Sequence, residues 1–233
     1  MTDRTIEGIA LHWRAEALLV GARDGRGAWG WAEAPADPEV SGRILALASG
    51  LLGRSAWSAD ERWRDRPRQP GAEWLAFAAL DSACFELAAV GAGLSVREWL
   101  GGTAREPGPW RGDQLAASVE PGEFDRLIDE TDRSDAAAIG IDPRQWGIGA
   151  VLRLDGWCRV RQVEIGLDAR GAGPIGLDHA VELAASLPMP SLGVRADEPA
   201  LALLGGNGVR AARAAYQAAL ANERPFAVVG VGS

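Results

Sequence analysis

At 233 residues the chain is long enough for one large domain or two modest ones with a sizeable buried core. Its 24 basic residues are all arginine and stand against 32 acidic ones, so the net charge of −8 gives no electrostatic reason to seek nucleic acid or anionic lipid. With no lysine in the chain, any reaction that needs a lysine base is closed to it. The N-terminus lacks the apolar stretch of a secretory signal, and no run approaches the roughly 20 apolar residues that span a bilayer. Cys84 and Cys158 lie far apart, so two reduced, buried thiols in a cytoplasmic protein are expected.

Residues 6–13 and 17–22 are short apolar runs joined only by Arg14, Ala15 and Glu16, a hairpin-length connection. Asp24-Gly25-Arg26-Gly27 supplies a turn into a third strand over 28–33, where Trp29 and Trp31 alternate with glycine and share a face. Helical spacing over 40–52 stops at Gly53, and 54–71 reads as a loop with a short helical turn. The strongest helix is 72–90: Phe77, Leu80, Cys84 and Leu87 recur at three- and four-residue steps before Gly91 and Gly93. Ser95 caps a short helix over 95–100. Residues 103–112, with Pro107 and Pro109, mark a domain boundary. Beyond it, strand candidates at 115–119, 136–141, 149–154, 163–167, 192–196 and 226–231 are interspersed with helices at 123–130, 179–187 and 209–221, a pattern of parallel βα units.

Several stretches carry a family likeness. Residues 25–34, Gly-Arg-Gly-Ala-Trp-Gly-Trp-Ala-Glu-Ala, match a "dG..GwGEa" strand; 76–87, Ala-Phe-Ala-Ala-Leu-Asp-Ser-Ala-Cys-Phe-Glu-Leu, with 96–102, Val-Arg-Glu-Trp-Leu-Gly-Gly, match an "aidaAlwDl … lLGG" helix and exit. In the second half, 166–171 match "DANG", 195–199 match "aDEs" and 205–215 match "GGv.aa..ia". With the order of the elements, these motifs resemble the enolase superfamily, within it the muconate lactonizing group, and most of all the o-succinylbenzoate synthases. The resemblance implies an α+β capping domain over 1–108 followed by an α/β domain over 109–233, a (β/α) barrel with 226–231 as its seventh strand. It implies Mg²⁺ held by Asp168 and Asp197, with Glu198 as a substitute ligand. It also implies abstraction of a proton α to the carboxylate of a small substrate, with Mg²⁺ stabilising the enediolate and a Lys or His as base.

Several features depart from that pattern. The family's second strand carries a Lys-x-Lys pair, whereas residues 136–141, Ala-Ala-Ala-Ile-Gly-Ile, hold no base. The sixth-strand lysine is absent. About ten residues join Leu187 to Asp197, leaving no room for a fourth strand and its metal glutamate. A full barrel typically runs to about 250 residues, so the expected architecture is an incomplete, deletion-bearing barrel. The connection between the first two strands is also too short to close as a lid and exclude water.

With lysine gone, His179 after the Asp168 loop is the remaining candidate base, weighed against a capping or solvent-facing role at a helix start. His12 falls in the first strand, away from the barrel mouth. Tyr216, Cys84 and Cys158 are packing residues, and Trp29 and Trp31 a stacked pair against the core of the cap. Asp81 and Glu86 lie in the strongest helix; burying a lone carboxylate is costly, so each is expected to meet an arginine or another domain. Gly205-Gly206-Asn207-Gly208 before a helix is a weak phosphate-cradle signal, and the family likeness makes it a barrel turn.

The expected function is that of a divergent o-succinylbenzoate synthase-like pseudoenzyme. It has lost lysine-dependent, Mg²⁺-assisted proton abstraction and acts as a binding or scaffold protein. Two alternatives stay open: a lyase, isomerase or cyclase repurposed around the surviving carboxylates, or a barrel completed by a second copy or another chain at its exposed edge strands.

Overall fold

A computed structural model of the chain describes residues 4–14, 17–102, 107, 109–110, 120–134, 137–187, 193–204, 208–220 and 223–230. Strands β1 (Ile6–Trp13), β2 (Ala17–Asp24) and β3 (Trp29–Pro35) form the meander, followed by helices α1 (Pro38–Ala48), α2 (Ala59–Arg64), α3 (Ala72–Ala92) and α4 (Val96–Trp99). Then come α5 (Phe124–Ser134), β4 (Ala138–Ile141), α6 (Pro143–Trp146), α7 (Ile148–Arg161), β5 (Glu164–Asp168) and α8 (Pro174–Ser186). Strand β6 (Gly193–Arg195), α9 (Glu198–Leu201), α10 (Gly208–Leu220) and β7 (Ala227–Gly230) complete the order.

Period-two alternation gives the meander two distinct faces. Ile9, Leu11, Leu18, Val20, Ala22, Ala32 and Ala34 point one way, into a core shared with α1 and α3. On that face α3 sits so close to β3 that a Cβ on Gly30 would lie 2.2 Å from Ala83 O and Leu87 N. Gly8, Ala10, His12, Gly21, Arg23, Trp29, Trp31 and Glu33 point the other way, toward α8 and α10. By length and composition α3 could cross a bilayer, which corrects the expectation that no run is apolar enough, but 72% of its apolar window is buried inside the protein.

The second half builds a parallel sheet in the order β4-β5-β6. Ile139, Ile141, Ile165, Leu167 and Val194 anchor its core with α7 and α8. Strand β6 hydrogen-bonds directly to β5, so nothing stands between them, as the short connection requires. The fold is an α+β cap followed by an α/β unit with an incomplete barrel sheet.

Three further expectations need correction. Residues 149–154 are helical, inside α7: Ile148, Val151, Leu154 and Cys158 form a buried helical stripe that a six-residue window conceals. Helix α8 begins at Pro174, so His179 lies mid-helix and not at its start. Residues 226–231 are no barrel strand; β7 pairs antiparallel with β1, from Gly8↔Gly230 to Leu11↔Ala227, and extends the sheet of the cap to β3-β2-β1-β7. The strand expected at 115–119 and the start of the glycine run at 205–207 lie outside the described residues.

Candidate functional site

In the parallel sheet, Gly140, Gly166 and Gly193 stand side by side in register, a row with no side chains. The indole of Trp110 lies on this row; a Cβ on Gly166 would come within 2.8 Å of its ring. Trp110 is 7% exposed, its backbone N–H donates to Val194 O at 2.9 Å, and the Arg195 guanidinium covers the ring at 5.8 Å. Asp168 follows Gly166 by two residues and so shares the face that Trp110 fills. Ala138 and Gly140 on β4 share it too, and neither offers an amine.

Three carboxylates gather at the C-terminal ends of these strands, each already engaged. Asp142 caps α6 through Arg144 N and takes Arg144 Nη2 at 2.8 Å, while Arg144 Nη1 donates to Gly171 O at 2.7 Å. Both oxygens of Asp168 accept from Arg170 Nε, at 2.9 and 3.1 Å. Burial pushes Asp168 up, but the Arg170 side-chain and backbone N–H groups outweigh it and hold the carboxyl below its ordinary value. Asp197 is exposed and accepts from Gly171 N at 2.6 Å; Glu198 is exposed in the first turn of α9. Asp168 and Asp197 thus brace one turn, residues 168–171. Mg²⁺ wants a near-octahedral shell of oxygens. Among the described residues no group of three or more His, Cys, Asp or Glu is placed to hold a metal ion.

His179 is 4% exposed, and its Nε2 lies 2.8 Å from Glu86 Oε2 in a buried network that joins α3, α8 and α10. Arg213 bridges Glu86 and Asp178, and Gln217 reaches Glu86 at 3.5 Å. Burial raises Glu86, yet Arg213 and His179 outweigh it and leave it below its ordinary value; for Asp178 burial wins over Arg213 and the carboxyl is raised. The arginine expected beside Asp81 is Arg62, 3.0 Å away, and Asp81 also accepts from Gly149 N at the start of α7. Both cysteines are buried free thiols, pushed up by burial to about 11 for Cys84 and about 12 for Cys158. Neither serves as a thiolate at neutral pH.

Open space lies elsewhere, on either side of the stacked Trp29 and Trp31 rings (centroids 5.1 Å apart). One cavity of about 400 Å³ runs between α10 and the sheet face bearing Gly8, Ala10, His12 and Arg23. Another of about 400 Å³ reaches Glu86, Asp178, Arg210 and Arg213. The tryptophan pair stacks as expected, but on the face away from α1 and α3, against Leu19, Ile175 and Leu220. Sequence reasoning missed Arg23, Trp110, Arg144 and Arg213. Arg23 shares the two-residue alternation of Leu19 and Gly21, a signal that places it opposite Trp29; nothing local points to the other three.

No family model and no curated protein matches the sequence. Solved structures do. An enolase-superfamily member from Agrobacterium tumefaciens matches with TM-score 0.60 and 14% identity, covering 86% of this chain and 89% of that one. An enolase of the mandelate racemase subgroup, also from Agrobacterium tumefaciens, gives 0.69 and 13%, covering 84% and 86%. An enolase from Pseudomonas fluorescens, solved with bound magnesium, potassium and tartrate, gives 0.61 and 13%, covering 84% and 81%. At such identities the likeness is one of fold, and the fold of this chain is that of the enolase superfamily.

Proposed function

We propose that this protein is a divergent relative of the o-succinylbenzoate synthases that has lost the reaction of its fold and works as a binding protein. The observation that carries the reading is the filled inner face: Trp110 packs on a glycine row where a substrate would need space, beneath carboxylates tied to their own arginines. Proton abstraction α to a carboxylate needs a base within hydrogen-bond reach and a cation to take up developing charge. The face offers no amine, and Arg170 already neutralises Asp168. The purified chain with Mg²⁺ is therefore expected to show no turnover of the o-succinylbenzoate synthase substrate, nor dehydration of galactarate, above a buffer control. Turnover of either would overturn the reading. Millimolar Mg²⁺ should likewise leave the melting temperature unchanged, because Asp142, Asp168 and Asp197 are already engaged by Arg144, Arg170 and Gly171.

One observation favours a second reading. Asp168 and Asp197 converge on the same turn from adjacent strands, so a lyase, isomerase or cyclase repurposed around them would have both carboxylates at one edge. On that reading Asp168→Asn and Asp197→Asn each abolish an activity without unfolding the chain; wild-type behaviour of both variants would dismiss it.

A further inference from the structure

The cavity on the outer sheet face combines features that packing alone does not require. Its floor is hollowed by Gly8 and Ala10, and its wall is the Trp29 and Trp31 stack. Arg23, exposed at the rim, reaches over the end of that floor: a Cβ on Gly8 would sit 3.7 Å from Arg23 Nε. Among the described residues Arg23 forms no ion pair, and its guanidinium lies over the face of Trp29 at 5.7 Å. Glu223, the carboxylate at the opposite rim, is already paired with Arg14 at 2.6 Å. The far end of the floor holds His12, 6% exposed, packed edge-on against Trp31 at 5.5 Å and, among the described residues, without a hydrogen-bond partner. Burial, aided by Arg14 and opposed by Glu223, lowers His12, so its ring is a neutral donor and acceptor. Since Arg23 stands opposite Gly8, four residues along β1 from His12, the two polar ends are separated by roughly 13 Å of strand.

We infer that this cavity binds a small aromatic acid carrying a second polar group at its other end, the carboxylate on Arg23, the apolar ring along the Gly8 and Ala10 floor, and the distal hydroxyl on His12. A volume of about 400 Å³ with apolar and aromatic walls and two separated polar groups is the ordinary make-up of a small-molecule site. An unpaired guanidinium favours a planar carboxylate over a neutral or cationic ligand. The inference stands apart from the reading of the strand-end carboxylates: turnover at Asp168 would leave it intact, and failure here would leave that reading untouched.

The test is calorimetric titration of the full chain with 4-hydroxyphenylacetate, 4-hydroxyphenylacetamide and phenylacetate, with tryptophan fluorescence as a second readout. The acid should bind saturably at millimolar concentration or tighter, and the amide at least tenfold more weakly. Arg23→Gln should erase the difference between acid and amide. His12→Phe should erase the preference for 4-hydroxyphenylacetate over phenylacetate. Gly8→Val, whose Cβ has room but whose methyls enter the cavity, should weaken all three ligands while the melting temperature holds. Equal binding of acid and amide, wild-type affinity in both Arg23→Gln and Gly8→Val, or no saturable binding of the acid would each overturn the inference.

Discussion

Removing the charge of Glu86 while keeping its shape would leave His179 facing a neutral amide and Arg213 with Asp178 as its one remaining carboxylate among the described residues. Breaking a buried ion pair from one side costs about 3 kcal/mol when the remaining charge loses its compensation, and less here because Asp178 still faces Arg213. Glu86→Gln should therefore unfold at clearly lower urea than wild type at neutral pH. The pH dependence has a definite sign. Glu86 is held below its ordinary value in the folded protein, so the folded state binds fewer protons there than the unfolded chain. Its contribution is complete above the ordinary carboxylate range and is lost as pH falls through the folded value. The gap between wild type and Glu86→Gln should accordingly narrow in urea titrations taken below about pH 4. A gap constant with pH would mean that packing, not charge, holds the junction. That Glu86 and Asp81 must find partners was legible from the cost of burying a lone carboxylate. Which partners they find was not, since Arg213 lies 127 residues from Glu86 and is brought near only by the docking of α10.

Elements were legible where an apolar run of the right length ends at turn residues or glycine, even though both faces of β1 to β3 are largely buried. Strands β1 to β3 follow their alternation because one side meets α1 and α3 and the other meets α8, α10 and open space. Helix α7 escaped because its middle reads as a short apolar run; only its full length shows the helical stripe, and Gln162 in a left-handed conformation closes it where a glycine would have announced the end. The contact of β3 with α3 gives a sharp test. Gly30→Ala would place a methyl 2.2 Å from backbone atoms of Ala83 and Leu87, and backbone cannot swing aside as a flexible side chain can. The helix must shift along much of its buried face, at a cost of about 1–3 kcal/mol. A melting temperature well below wild type is the expected result. A melting temperature equal to wild type would show that α3 is not seated on the strand as described.

At the scale of the whole molecule, the sequence conveyed the order of elements but not how the chain closes on itself. Residues 226–231 read as one more parallel strand because a short apolar run carries no information about its neighbour; partner choice is settled by which edge is available in space. The available edge is β1: Phe226 N donates to Leu11 O at 2.7 Å, and Ala227 and Val229 join the core beneath the meander. The first and last segments thus share one sheet, and damage at the C-terminus should be felt at the N-terminus. Deleting residues 226–233 removes one of the two pairing partners of β1 and uncovers apolar surface on Ile9 and Leu11. Hydrogen exchange of the truncated chain should speed up in β1 and β2 while β4 and β5 keep their protection, since those two strands make no pairing with β7. If exchange instead rose in the parallel sheet and left β1 protected, the last strand would belong to the barrel.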